Sequence, residues 1–142
     1  MEKITLKANC YIVLCSKNGK VKTERHIHNT TTNAGKYAIA AQLLASPDLG
    51  NVTHMAIGTG SPSGTALGTE LDRNAVTSKT RTNGSVTIIG NWAAADGTGT
   101  LTEAGLFDQG TLGGNMWCSS SFTAIVKGAS DTLAITWIII IA

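Results

Sequence analysis

Charged residues are what this sequence has least of. Only 14% of its 142 residues are Asp, Glu, Lys or Arg, whereas soluble domains average about 25%. The formal net charge is +2, and no block of basic residues supplies the strong patch that a nucleic-acid-binding protein usually carries. Thr, Ser, Asn and 16 Gly fill the deficit. That mixture disfavours a helical bundle and favours strands joined by tight turns, and we expect no nucleic-acid partner.

Long apolar runs are also lacking. Glu2 and Lys3 are followed by no apolar segment of the length that a signal peptide requires. The C-terminal run Ile138–Ala142 is too short to span a bilayer. We therefore expect a protein made in the cytosol that has no membrane partner.

The three cysteines show no metal-binding spacing. Cys10 and Cys15 are five positions apart, so on one strand their side chains point to opposite faces and do not easily bridge. Cys118 leaves the count odd. The sequence therefore predicts reduced thiols.

Catalytic and cofactor motifs are missing as well. The glycine-rich stretch Gly58–Gly64 is not followed by the Gly-Lys-Ser/Thr of a phosphate-binding loop, and no amphipathic helix follows it as a dinucleotide fingerprint requires. We interpret its glycines as a means of reaching positive φ angles. Ser119–Ser121 lack a nucleophile elbow or base motif. We expect neither an enzyme nor a cofactor.

A metal site would need three distant histidines to converge. His26 and His28 lie on one face of a strand and His54 is far along the chain. Two histidines on a hairpin are more often simply exposed, so we predict no metal.

The length suits a single domain, 1–142, in which residues 1–28 read as a hairpin arm. Ile4–Cys15 and Val21–His28 read as strands joined by Asn18-Gly19, the strongest short hairpin signal. The alternation of the return strand is weak, so we predict an arm that projects or forms an edge and contacts a neighbouring subunit or shell protein. Its basic residues are Lys17, Lys20, Lys22 and Arg25.

A helix is predicted over residues 33–46. Asn33 is a suitable cap, and apolar side chains follow at helical spacing from Tyr37 to Leu44. Pro47 and Gly50 end the pattern.

The remainder, 52–142, reads as a sandwich core. We predict a mainly β protein, a single antiparallel and jelly-roll-like β-sandwich with that one short helix. Its predicted strands are Val52–Ile57, Asn74–Thr82, Ser85–Trp92, Thr100–Phe107, Asn115–Lys127 and Thr132–Ile141.

The last strand is apolar on both faces near its end. Such a strand at a sheet edge promotes aggregation, so we expect it to be central or covered by another subunit. The residues assigned to this oligomer or shell interface are Trp137, Ile138, Ile139, Ile140 and Ile141.

Two carboxylates and one arginine form a predicted structural cluster. Glu70 and Arg73 are three apart, close enough to pair across the small turn expected at Leu67–Arg73. Glu103 lies in a mostly apolar strand, where a carboxylate is costly to bury unless it is paired. We predict that Glu103 reaches Arg73 and ties the turn to the sheet.

A series of motifs in this order resembles a known family. A Gly-Lys-Val hairpin comes first, then Asn-Thr-Thr-Thr-Asn-Ala-Gly before the helix and Met-Ala-Ile-Gly-Thr-Gly after it. Ala56–Arg73 and Thr102–Phe107 carry the most specific part, and Asp131–Ile138 closes the series. The chain resembles small tailed-bacteriophage virion proteins, described as head-decoration or tail-fibre-like proteins.

The resemblance implies a structural role without catalytic or ligand residues. A shaft needs repeats, which the chain lacks, so we expect a capsid decoration (cement) protein, a homotrimer that binds the phage major capsid protein in the virion. A tail, neck or fibre-associated protein of the same kind of virion is the alternative. A carbohydrate-binding module is a third, because Trp92 or Trp117 could stack on a sugar.

Overall fold

The computed structural model describes residues 3–43 and 50–142, which form ten strands and one helix. The elements are β1 Leu6–Cys15, β2 Val21–His28, β3 Thr30–Thr31, α1 Asn33–Gln42, β4 His54–Gly58, β5 Glu70–Ala75, β6 Ser78–Thr82, β7 Ser85–Trp92, β8 Gly99–Phe107, β9 Met116–Lys127 and β10 Thr132–Ile141.

The strands build two five-stranded antiparallel sheets that pack on one another. The first sheet has the order β2-β1-β10-β7-β6, and the second has the order β3-β9-β8-β4-β5. The predicted β-sandwich with one short helix is confirmed. Hairpin partners are close in the sequence and lie side by side in one sheet. By contrast, β1 pairs with β10 and β3 pairs with β9, although these partners are far apart in the sequence.

The core lies between the two sheets, and in β1 and β10 it follows from a regular alternation of inward and outward side chains. In β1, Cys10, Ile12 and Leu14 are at most 1% exposed, and they face the second sheet, which contributes Met55 and Ile57. Burying one such aliphatic side chain stabilises the fold by roughly 1.5–3 kcal/mol before entropy is counted. The inter-sheet layer therefore holds the fold together.

The predicted N-terminal arm, 1–28, is wrong as an arm, and so is a core that begins at residue 52. Strand β1 pairs with β10 along its whole length, from Leu6 opposite Ile141 to Cys15 opposite Thr132. Its inward positions Ala8 and Cys10 are buried, whereas the weak alternation from which the arm was predicted belongs to β2. Of the two strands of this hairpin, only β2 lies at a sheet edge, the position predicted from the sequence as the alternative to a projecting arm.

The helix begins one residue away from the predicted cap. Thr32, not Asn33, is the N-cap, and its hydroxyl accepts the amide hydrogen of Gly35 at 3.0 Å. A Cβ at Gly35 would collide with the backbone of Trp117, so this glycine lets α1 lie directly on β9. Residues 44–46 of the predicted helix lie outside the described residues.

The segment after the glycine loop differs from the prediction. The expected turn at Leu67–Arg73 ends in strand β5, and the expected strand Asn74–Thr82 is split between the two sheets. The chain crosses between sheets at Val76, whose amide donates to Thr53 O at 3.0 Å. No glycine or proline stands at the crossing, so nothing in the sequence signals the break.

Candidate interaction surfaces

The glycine loop is organised around the carboxylate of Glu103. This side chain is fully buried on the outer side of β8 and accepts three backbone amide hydrogens. Gly60 donates to Oε1 at 2.9 Å, Thr69 to Oε1 at 2.8 Å and Gly68 to Oε2 at 2.8 Å. Hydrogen bonds to a charged acceptor are the strong ones, so this set offsets the cost of burying the carboxylate.

Glycine is required in this loop because its backbone runs so close to its neighbours. A Cβ at Gly58 would meet both the Glu103 carboxylate and the Thr69 carbonyl. A Cβ at Gly68 would meet the backbone of Ser61. The sequence interpretation of this stretch as architecture agrees with the geometry, but the reason at these positions is close approach and not positive φ.

The predicted Glu103–Arg73 pair is wrong, because the structure gives Arg73 a different carboxylate. Arg73 donates from Nε to Glu70 Oε1 and from Nη2 to Glu70 Oε2, both at 2.7 Å. This bidentate pair is largely buried. The predicted proximity of Glu70 and Arg73 is therefore right, although they pair along strand β5 and not across a turn.

The remaining nitrogen of Arg73 organises a second loop. Its guanidinium lies 3.7 Å from the centre of the Phe107 ring, a cation–π contact. Its Nη1 lies 2.8 to 3.0 Å from three backbone carbonyl oxygens, those of Gln109, Thr111 and Gly113. One side chain therefore ties β5 to the whole β8–β9 connection.

These contacts close the outer side of the second sheet, which we call the capped face. Ala56, Phe107 and Met116 point outward from its strands, and Leu67 from the glycine loop packs over them to form a second small core. The cap consists of the chain's own loops. Backbone amides satisfy Glu103, and Glu70 together with backbone carbonyls satisfies Arg73.

Sequence reasoning missed a buried lysine at the end of β9. Lys127 is only 1% exposed, and its Nζ donates to the carbonyl of Ala93 at 3.0 Å. Burial lowers the pKa of Lys127, while Asp131, Asp96 and Asp72 act in the opposite direction. Lys127 lies two positions after Ile125, an inward residue of the same strand, and this alternation is the pattern that could have predicted its burial.

Asp131 links this end of the sandwich to the basic strand β2. Lys22 Nζ lies 2.7 Å from Asp131 Oδ2, which also accepts the Gly128 amide hydrogen at 2.8 Å. These two hydrogen bonds lower the pKa of the Asp131 carboxyl. Lys22 therefore pairs within the chain, and its predicted contact with a neighbouring subunit stays a prediction.

The other basic residues of the hairpin do not form a common site. Lys17 and Lys20 are exposed at the β1–β2 turn. Arg25 donates to the adjacent carbonyl of Glu24 at 3.0 Å. The expectation that these residues contact a neighbouring subunit stays a prediction.

The apolar C-terminal strand is the central strand of the first sheet. Strand β10 lies between β1 and β7, so both of its edges are paired within the chain. Ile135, Trp137 and Ile139 point into the core. The edges of this strand therefore need no covering subunit. The assignment of Trp137 and Ile139 to an interface is wrong, because both are core residues, whereas the interface role of Ile138, Ile140 and Ile141 and the homotrimer stay predictions.

The opposite side of the first sheet, which we call the open face, carries an apolar centre. Ile138 and Ile140 alternate with the buried positions of β10 and are only half-buried. Asn9 and Thr87 lie directly opposite Ile138, and Lys7 and Ser85 lie directly opposite Ile140. Tyr11 and Ile89 lie on the same side, one cross-strand row further along, opposite Thr136. The one helix in residues 3–43 and 50–142 packs on β9 of the other sheet.

The residues considered for other chemistry are dispersed. His26 stacks on Tyr11 with ring centres 4.1 Å apart, and His28 Nδ1 lies 2.8 Å from Asn9 Oδ1. His54 bonds Thr53 in the second sheet. Within the described part of the chain, no three His, Cys, Asp or Glu side chains are grouped as metal ligands.

The cysteines are free thiols, and two of them are core residues. Burial raises the pKa of Cys10 to about 12, helped by nearby Cys118, and raises the pKa of Cys118 to about 11. Both thiols therefore stay protonated and unreactive near neutral pH.

Two tryptophans considered as sugar platforms are placed differently. Trp92 is 1% exposed, which removes it as a stacking surface. Trp117 is half-buried and its Nε1 donates to Gly50 O at 3.2 Å.

Two of the serines that were considered as nucleophiles, Ser119 and Ser120, are buried in β9.

The chain was compared with protein-family models, curated proteins and solved structures. No protein-family model matches it, no curated protein matches it, and no solved structure matches it. Among the described helical residues, no helix is long and apolar enough to cross a membrane.

Proposed function

We propose that this protein is a non-enzymatic virion structural protein of a tailed bacteriophage, and that it decorates the capsid by binding and stabilising the major shell protein. The ordered motifs that resemble small phage virion proteins support this proposal. The single observation that carries it in three dimensions is the open face, where Ile138 and Ile140 form an apolar centre on an otherwise well-packed sandwich.

The inward and outward residues of β10 play different roles. Ile135, Trp137 and Ile139 already supply the core, so the fold does not need isoleucine on the outer side. Contiguous apolar surface on a soluble protein marks an interaction site, and burying it contributes roughly 25 cal/mol per Å². The outer isoleucines suit a surface that another virion subunit covers.

The charged residues of the capped face support a structural role. The carboxylate of Glu103 bonds the backbone of the chain itself, and Arg73 is occupied by Glu70 and three carbonyls. These groups hold loops in place. Charged groups with this role are typical of a structural protein and not of a protein whose charged groups react with a substrate.

A tail, neck or fibre-associated role is the second candidate, and the same open face suits it. The two places differ in copy number, because a shell carries decoration proteins in hundreds and a tail carries a few to a dozen of each component. Quantitative mass spectrometry of purified particles therefore separates them.

The test is co-expression with the structural genes that neighbour this gene, followed by purification of particles. We expect the protein to co-purify in a ratio near that of the shell protein. A double variant Ile138→Lys and Ile140→Lys should stay folded, because lysine stems lie along the sheet while the ammonium reaches water, yet it should be lost from particles.

The matched control places the same charges on the outer side of the second sheet. Thr100→Lys and Val126→Lys lie opposite each other on β8 and β9, are exposed, and should leave particle binding unchanged. Failure of the parent protein to join any particle would contradict the proposal. Equal loss of both double variants would remove the open face as its basis.

A further inference from the structure

A basic groove lies at the N-terminal end of β1. It is a cleft of about 760 Å³ between the start of β1, the β2–β3 connection and the first turn of α1. Three lysines line it, Lys3, Lys7 and Lys36, and all three are exposed. None of the described residues that line the groove is acidic. The basic residues that matter are therefore gathered by the fold and not by the sequence.

The floor of this groove is an unpaired strand edge. Thr5 and Ala142 exchange two backbone hydrogen bonds, at 2.6 and 2.9 Å. In an antiparallel pair that geometry directs the odd residues of β1 toward β10 and the even residues toward the other side. On that other side, β2 pairs with β1 only from Asn9 to Cys15. Leu6 thus presents its N–H and C=O to the groove, where no described strand pairs with it.

Apolar side chains accompany this free edge. Ile4, which is 72% exposed, and Leu6, which is half-buried, both line the groove. Unpaired edges flanked by apolar side chains are the surfaces on which an added strand docks, with backbone bonds giving affinity and alternate side chains giving selectivity. Lysines beside such an edge also prevent it from pairing with the same edge of another copy of the chain.

We propose that this groove binds an extended, acidic segment of a partner protein by strand addition to β1. Backbone groups of the segment pair with Leu6, its apolar side chains lie on Ile4, and its carboxylates face the lysine rim. The inference goes beyond the virion proposal and does not depend on it, because it follows from backbone pairing and charge alone.

A defined peptide tests the proposal on the full chain. The probe is a fluorescein-labelled peptide of alternating valine and glutamate, and binding is measured by fluorescence anisotropy at low and at moderate salt. A peptide with lysine in place of glutamate and one with N-methylated alternate amides are the controls. We expect only the first peptide to bind, with an affinity that falls as salt rises.

Variants of the protein separate charge from backbone pairing. Lys3→Glu, Lys7→Glu and Lys36→Glu together should weaken binding at least about tenfold, whereas Lys17→Glu with Lys20→Glu should leave it within about twofold. Leu6→Pro removes the groove-facing N–H and spares the odd-numbered bonds to β10. It should also weaken binding at least about tenfold.

A direct readout covers the case in which that proline disturbs the fold. In the unaltered protein, hydrogen exchange at the Leu6 amide should slow when the acidic peptide is added. Unchanged exchange, or equal binding of the N-methylated peptide, would overturn strand addition. Equal binding of a single-stranded oligonucleotide would show a general anion groove and overturn the proposal too.

Discussion

The two outer faces of this sandwich differ in what covers them. The capped face is closed by the chain's own loops, which are fixed by a buried carboxylate and a buried guanidinium. The open face carries isoleucines at its centre and no helix among the described residues. Closing a face with charged groups demands that every one be satisfied. An apolar centre on a surface is typical of an interaction site, and the open face is therefore where we propose that a partner binds.

The largest expected effect comes from removing the carboxylate under the cap. Glu103→Ala leaves three amide hydrogens without their acceptor and should lower the free energy of unfolding by about 3 kcal/mol. Chemical denaturation measures it. Glu103→Gln keeps the shape but turns an acceptor into a donor, so an intermediate loss is expected. An unchanged midpoint for Glu103→Ala would break the account of the capped face.

A somewhat smaller effect is expected at the arginine. Arg73→Lys keeps the charge but loses the bidentate pair with Glu70 and most of the carbonyl contacts, so stability should fall by about 2 kcal/mol. Limited proteolysis should then cut the β8–β9 connection, 108–115, faster than in the parent. Resistance to proteolysis equal to that of the parent would show that this connection keeps its structure without the contacts of Arg73.

Two glycines of one loop offer a matched pair. Gly68→Ala forces a methyl group onto the backbone of Ser61 and should lower stability by about 1–3 kcal/mol, whereas Gly64→Ala meets nothing within 4 Å and should be nearly neutral. Thermal melting compares them. Equal melting temperatures would mean that the loop does not pack as tightly as described.

The smallest effect is a pH-dependent one at the end of the sandwich. The pKa of Asp131 is lowered on folding, chiefly by its bond to Lys22, so its contribution is present above the ordinary value of 3.8 and is lost as pH falls through the folded value. The melting temperature of Lys22→Ala should lie below that of the parent at neutral pH. The gap should close in acid, and a gap that widens there would contradict the sign.

Local signals in the sequence predicted some of the elements closely. Strands Ser85–Trp92 and Thr132–Ile141 have the predicted bounds, because Asn83-Gly84 and Asp131 are turn formers beside strongly apolar runs. The place of β1 was not predicted, because the arm was inferred from the weak alternation of the return strand β2, which is the edge strand. The pairing of β1 with β10 joins the two ends of the chain, and no local pattern in the sequence indicates it.

The partners of charged residues were the hardest to predict. Sequence reasoning shows that a buried carboxylate such as Glu103 must be satisfied, but backbone amides satisfy it as well as an arginine does. Which acceptor Arg73 takes depends on distances that only the folded loops define. The groove lysines lay beyond prediction for the same reason, because Lys36 reaches the others only through the position of α1.

Side-chain footprinting tests the central claim most directly. Hydroxyl radicals would label the protein free in solution and bound to purified particles, and mass spectrometry would quantify each site. We predict protection of Tyr11 and Ile138 on the open face, while Leu112, which is 82% exposed beside the capped face, stays reactive. Protection of Leu112 with Tyr11 and Ile138 unchanged would contradict the division between the two faces.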